Sequence, residues 1–354
     1  MAVDVKSTIR VEPTEPEPED EIEQLRYEIA TYPADYTLSV LFEKWESAQI
    51  VIPDFQRSYV WTKTQASRLI ESFLLGLPVP GVFLYRETPS QRLLVIDGHQ
   101  RLGTVAYFKR GMFKDEKVFR LENVDERWAG KAYKDLTDAD KIRLDDSILR
   151  ATIIQQTNPD DHSSIYFMFE RLNAGGTKLN PMEIRKCLFM EEAFPLLERL
   201  NRNEDWRTLL GRPRIDPRLR DTELVLRVLA LGRRWKHYER PMKVFLTEYI
   251  TSLNGDKGKA RREADEAFFV RACRLAVEHL PERPFHVRTR LNLAALDAGL
   301  GTIGSLTDAQ VNHLGKRFAQ LQANKDYEEA IRFNTSDVKV VLERFQTATK
   351  VLTS

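Results

Sequence analysis

The sequence predicts an α+β fold, with a small mixed sheet in the N-terminal half followed by a mainly α-helical C-terminal domain. Three observations carry this. Between residues 36 and 190, short apolar strand-like runs alternate with segments of helical periodicity. From 191 to 354 the periodicity is almost entirely helical. The chain has 354 residues, of which 42% are hydrophobic and 10% aromatic, enough for two cores. Residues 1–35 form a third region, an acidic arm. From Glu12 to Glu23 it reads EPTEPEPEDEIE, with seven acids, three prolines and no base. Such a stretch cannot bury apolar surface and is expected to stay disordered.

Order is expected to begin near Tyr36. TLSVLFEKWES carries apolar residues at helical spacing, and Ile50 to Ile52 reads as a short strand. Thr64 to Leu75 predicts a helix with Leu69, Ile70, Phe73 and Leu74 on one face. Gly76 is its stop, and Pro78 prevents continuation. GVFLY (Gly81 to Tyr85) and LLVI (Leu93 to Ile96), separated by a polar turn around Pro89, predict two paired strands. Asp97-Gly98-His99-Gln100-Arg101 follows at once and leads into a helix from about Gln100 to Arg110. ATIIQQ (Ala151 to Gln156) is a further strand, and Asn158-Pro159-Asp160 opens a helix through Arg171. Asn173-Ala174-Gly175-Gly176-Thr177 is a glycine-rich loop. Asn180, Pro181 and Glu183 then supply an N-cap, a first helical residue and a capping box. The helical half is broken at Asn254-Gly255, Pro281 and Pro284.

Composition excludes several classes. Lys+Arg (54) and Asp+Glu (53) leave a net charge of +1, so contact with nucleic acid must come from local patches. No run reaches the roughly 18 apolar residues of a membrane span, and Asp4 and Lys6 replace any signal-peptide core. Cys187 and Cys273 fit no metal or CxxC spacing, so a reducing cytoplasm is expected.

Three clusters carry chemistry. At Asp97 to Arg101, a strand delivers a turn into a helix, which aims backbone N–H groups and the positive end of the helix dipole at one spot. Gly98 permits close approach, Arg101 suits a phosphate, and Asp97 suits Mg²⁺ or a water. Ordinary turns also contain Asp-Gly. The second cluster is IPDFQRSYVW (Ile52 to Trp61). Phe55, Tyr59 and Trp61 are expected in the core with Arg57 snorkelling, whereas Gln56 and Arg57 are harder to explain as packing. In the third, FERLNAGGT (Phe169 to Thr177), a helix C-cap and a ligand-covering loop both fit.

In their order, IPDFQRSYVW, GLPVPGVFLY, VIDGHQR and FERLNAGGTKLNPMEIR closely resemble the GmrSD restriction endonuclease N-terminal domain family, over roughly Ile52 to Phe189. A weaker echo continues through Asp221-Thr222-Glu223, Arg227 and Phe245-Leu246. The resemblance implies a fold similar to the ParB and sulfiredoxin nucleotide-binding domains, over residues 36–190. It also implies nucleoside triphosphate binding and Mg²⁺-dependent hydrolysis that control cleavage of foreign or modified DNA. Carried over, it places Asp97, Gly98, Gln100 and Arg101 in the nucleotide site with Gln56 and Arg57, and adds Arg171 and Asn173. Asp97 and Arg101 become the candidate catalytic pair, and Asp97 the candidate Mg²⁺ ligand. His99 stands where the family usually has Gln; an imidazole still donates a hydrogen bond, but its charge varies near neutral pH.

None of the six histidines stands in an HNH nuclease context, and no Walker A or PD…ExK pattern occurs, so a separate nuclease subunit is expected. Residues 191–354 then read as a helical sensor or docking domain. From Arg202 to Lys243, twelve Lys or Arg stand against six Asp or Glu, with Trp206, Trp235 and Tyr238 among them. A second basic run, Lys257 to Arg262, is expected in a loop. Arg212, Arg214, Arg218, Arg220, Lys257, Lys259 and Arg261 are the candidate DNA contacts, a solvated helix face being the plainer alternative. Two functions remain open: a nucleotide-hydrolysing sensor of a defence system, and a non-enzymatic ParB-like DNA- or partner-binding module that uses nucleotide as a switch. Either leaves room for a homo-oligomer.

Overall fold

The computed structural model describes residues 29–52, 59–87, 90–157, 168, 180–189, 192–287 and 290–354. By contacts the chain divides into two compact units, Tyr27–Leu179 and Asn180–Ser354 with the N-terminal arm. Gln56, Arg57, Arg171 and Asn173 lie outside the described residues, as do the helix expected from Asn158 and the glycine-rich loop after it.

The first unit is built on a five-stranded mixed sheet of order β1-β5-β3-β4-β2. The strands are β1 (Ile29–Thr37), β2 (Ile50–Val51), β3 (Val82–Arg86), β4 (Leu93–Asp97) and β5 (Ile148–Gln156). β3 pairs antiparallel with β4, as the hairpin-like spacing predicts, and parallel with β5. Ordered chain starts earlier than Tyr36. β1 pairs antiparallel with β5 along its whole length, from Ile29 opposite Gln156 to Thr37 opposite Ile148. Pro33 and Asp35 disguise this strand in the sequence, but both are tolerated at a sheet edge.

Among the described residues, four α-helices accompany the sheet: α1 (Leu38–Glu46), α2 (Lys63–Leu75), α3 (His99–Arg110) and α4 (Asp138–Asp146). α2 starts at a reciprocal capping box between Thr62 and Gln65 and ends at Gly76, whose φ of 72° is left-handed. Its buried face contains Leu69, Ile70, Phe73 and Leu74, the four residues the periodicity selects. They join Val82, Leu84, Val95, Leu102, Val105 and Ile153 in one core. Each such side chain, removed from water, contributes roughly 1.5–3 kcal/mol.

The second unit contains α5 (Pro181–Leu188), α6 (Ala193–Asn201), α7 (Glu204–Leu210), α8 (Arg220–Arg234), α9 (Met242–Thr251), α10 (Gly255–His279), α11 (Leu293–Ile303), α12 (Asp308–Val311), α13 (Leu314–Gln322), α14 (Lys325–Ala330) and α15 (Val338–Thr353). Asn180 caps α5 by accepting from the Met182 and Glu183 N–H groups, while Glu183 reaches back to the Asn180 N–H, which is the capping box the sequence announces. One departure from pure helix is a short antiparallel ribbon of β6 (His286–Val287) and β7 (Arg290–Leu291). The Lys257–Arg262 run, expected in a loop, is helical. Asn254 takes an extended conformation, α10 begins at Gly255, and Lys, Ala and Arg are good helix formers. Arg262 Nη1 fixes that first turn by donating to the Leu253 and Gly255 carbonyls at 2.6 and 3.0 Å.

At the centre of this unit Arg227 Nη2 donates to Asp297 at 2.6 Å, and Arg344 Nη2 stands 3.9 Å from the same carboxylate. Arg344 and Asp297 are fully buried. Burial pulls the Arg344 guanidinium down to about 10, against the pull of Asp297. Two cations share one anion here. No helix is long and apolar enough to cross a membrane among the described residues.

Candidate functional site

The turn between β4 and α3 is shaped by its glycine. Gly98 takes φ 98° and ψ 12°, and a Cβ there would overlap the Val82 side chain. An L-residue is therefore opposed both by backbone strain and by packing. The N-cap residue of α3 is this glycine, which has no side chain to cap the helix. Arg101, one turn along, lies back across the opening. Its Nη2 donates to Asp97 Oδ2 at 2.7 Å and to the Gly81 carbonyl at 3.0 Å. Its Nε is buried with no hydrogen-bond partner. Asp97 keeps 47% of its side chain exposed, and Arg101 keeps 19%.

A β-bulge sets the direction of Asp97. Phe83 pairs with Asp97 but Leu84 pairs with Val95, so Ile96 is an extra residue in β4. Strict alternation from Val95 would turn Asp97 towards the helices. The bulge instead places it opposite Phe83, on the other face of the sheet. The sequence carries no local sign of this.

Gln100 is engaged within the fold. Its Oε1 accepts from the backbone N–H groups of Val60 and Trp61, at 3.1 and 3.2 Å. That orientation leaves Nε2 to donate towards His99 Nε2, 2.6 Å away. Gln100 thus clamps the far end of the IPDFQRSYVW segment to the start of α3. Tyr59 completes the junction. Its hydroxyl meets Thr104 Oγ1 at 2.6 Å, and its ring packs edge-on against Tyr107 at 4.9 Å between centroids. Gly103 makes room for that ring, since a Cβ there would come within 3.0 Å of it. Lys114 Nζ donates to the Tyr59 and Trp61 carbonyls at 3.3 and 2.9 Å. Burial pushes the Tyr59 hydroxyl up to about 12. Tyr59 and Trp61 pack against the core, as the plainer expectation had it, and Phe55 lies outside the described residues.

Arg150 was missed by the sequence reading, which starts that strand one residue later. It stands opposite Gly81 at the start of β5, close enough that a Cβ on Gly81 would meet its carbonyl at 2.7 Å. Its side chain is 75% exposed, with Asp35 at 3.4 Å.

The candidate DNA residues are dispersed. Arg218 makes a bidentate pair with Glu183 at 3.0 and 2.8 Å, which holds its guanidinium above the ordinary value and commits it to α5. Arg214, Arg220, Lys257, Lys259 and Arg261 are exposed, and Arg212 is half-buried. A Cβ on Gly211 would come within 2.8 Å of Arg283, so the Arg212 end of its run lies beyond the C-terminus of α10. Lys257 to Arg261 occupy the opposite end of that 25-residue helix. Arg212 is therefore separated from Lys257–Arg261 by roughly 30 Å at 1.5 Å per residue. The interleaved aromatics belong to the core: Trp206 and Tyr238 are buried, and Trp235 stacks on Phe345 at 5.5 Å. Asp221 accepts from Arg207, and Thr222 Oγ1 accepts from Asn201, which makes both structural. Among the described residues, no three His, Cys, Asp or Glu gather as a metal site.

A mixed sheet that delivers a glycine turn and a basic side chain to a helix start defines an α+β domain. Residues 38–190 match the family model of the GmrSD restriction endonuclease, N-terminal domain, and form a domain of that family. The chain thus carries a component of a restriction or defence system. No curated protein matches it.

Proposed function

We propose that the turn from Asp97 to Arg101 binds a nucleoside triphosphate and that the chain is the nucleotide-dependent sensor of a DNA defence system. The observation that carries the reading is Arg101. Among the described residues it is anchored through one nitrogen, its Nε is buried without a partner, and it lies beside a helix start whose N-cap is a glycine. A phosphate oxygen at the helix start would accept from its backbone N–H groups, with the Arg101 guanidinium alongside. Mg²⁺ is usually held by one or two carboxylates together with the substrate's phosphates, and Asp97, turned outward by the bulge, is the carboxylate in place for it. When bound, the ion would neutralise phosphate charge. The chain's own part is to orient the phosphates with Arg101, while Gln100 holds Val60 and Trp61 against the start of α3.

One geometric feature favours the second reading, in which nucleotide is a switch and is not hydrolysed: Asp97 is engaged by Arg101 at 2.7 Å. Cleavage of DNA is assigned to a separate nuclease subunit, and DNA contact to the exposed cations of the helical unit. Calorimetry with the four ribonucleoside triphosphates and Mg²⁺ tests the site. Wild type should bind at least one of them, and Arg101→Ala should weaken it by tenfold or more, about 1.4 kcal/mol. Equal binding by the variant overturns the assignment. Phosphate release over many turnovers separates hydrolysis from switching.

A further inference from the structure

On β3 and β5 alternate side chains point to opposite faces. Val82, Leu84, Leu149, Ala151 and Ile153 enter the core shared with the helices. Phe83, Tyr85, Arg150, Thr152 and Ile154 occupy the other face. That second face is not uniform. At its far end Tyr85 and Ile154 are only 5% and 1% exposed. At the end beside Gly98, Phe83 and Thr152 are half-buried and Arg150 is exposed. Phe83 pairs with Asp97 on one side and with Thr152 on the other. Asp97, Phe83 and Thr152 therefore form one transverse row across three adjacent strands, with Arg150 two residues before Thr152. Successive strands are about 4.8 Å apart, so an aromatic ring occupies the middle of a shelf roughly 10 Å wide. Among the described residues, no ring or cation packs on Phe83.

We infer that this shelf is a base-binding subsite, in which Phe83 stacks a nucleobase and Thr152 and Arg150 contact its polar edge. The inference rests on the nucleotide reading of the Asp97–Arg101 turn and extends it. Phosphates held at the start of α3 leave the sugar and base to run over the face towards which the bulge turns Asp97. An unstacked aromatic next to a hydroxyl and a guanidinium supplies what a base needs: a flat apolar surface and directional hydrogen-bonding groups. Arg150 retains free guanidinium donors, because its Nε alone meets Asp35, at 3.4 Å. A partner with phosphate but no base would pass the shelf by.

That difference is the test. The full-length wild type, Phe83→Leu, Arg150→Gln and Arg101→Ala are titrated with the four nucleoside triphosphates and with inorganic triphosphate, each with Mg²⁺. Phe83→Leu keeps apolar volume in the strand and removes only the ring. It should weaken the preferred nucleotide about tenfold and leave inorganic triphosphate unchanged. Arg150→Gln should bring the affinities for the four bases closer together. Equal loss of nucleotide and inorganic triphosphate in Phe83→Leu, or wild-type binding by both shelf variants, overturns the subsite while the phosphate site stands. Wild-type binding by Arg101→Ala, or no binding by the wild type, overturns both.

Discussion

Gly98 and Arg101 divide the work of the turn: one keeps the backbone open and the other supplies charge. Gly98→Ala must place a methyl group on Val82 and hold a left-handed φ. It should cost about 1–3 kcal/mol, seen as a lower urea midpoint with an unchanged slope. Retention of the wild-type midpoint would mean that β3 gives way freely. The turn was legible because its parts are contiguous: an apolar strand, Asp-Gly, then helical spacing. The direction of Asp97 was not, since a bulge is decided by pairing between β3 and β4 and leaves no mark in β4 itself. Arg150 escaped for a related reason. Its neighbour Gly81 is 69 positions away in the chain, and only the parallel register brings the two together.

At the level of elements, α3 carries the proposed anion site at its start and also docks Val60 and Trp61 through Gln100. Gln100→Leu removes the acceptor for two backbone N–H groups and should cost about 1–3 kcal/mol locally. Hydrogen exchange at Val60 and Trp61 should accelerate, while exchange in β4 stays slow. Uniform acceleration across the unit would refute a local clamp. Element boundaries fixed by near neighbours in sequence, such as the Gly76 stop and the Asn180–Glu183 box, agree with the sequence reading. Those fixed by distant partners depart from it. β1 exists because β5 pairs with it, and the first turn of α10 is held by Arg262 and its pairing with Glu192 at 2.7 Å. Neither influence can be seen in a local window.

Across the molecule, each unit has its own apolar core, but the helical one also buries charge. Asp297→Asn would remove the carboxylate that Arg227 and Arg344 share, leaving Arg227 only the weaker pull of Glu223. Breaking such a buried pair costs about 3–5 kcal/mol, so the helical unit should melt well below wild type. An unchanged melting temperature would show that the core relaxes around the guanidiniums. Acid should weaken the same unit through His286. Burial, reinforced by Arg283, lowers this imidazole below its ordinary 6.5. The unfolded chain therefore takes up the proton first, and stability is lost as pH falls from 6.5 towards the folded-state value. Urea midpoints at pH 7.5 and pH 5.5 should differ less in His286→Gln than in wild type. Equal differences would remove His286 from the account.

The spacing between Lys257–Arg261 and Arg212 sets a length scale for any duplex that meets both. Thirty ångströms along B-form DNA is about nine base pairs at 3.4 Å each, nearly one full helical turn. Two contacts so spaced reach the same side of a straight duplex, and a fragment of six base pairs is too short to touch both. Binding should therefore steepen in its salt dependence between six and twelve base pairs, as the second set of phosphates comes within reach. An equal slope at both lengths would mean that only one of the two touches DNA.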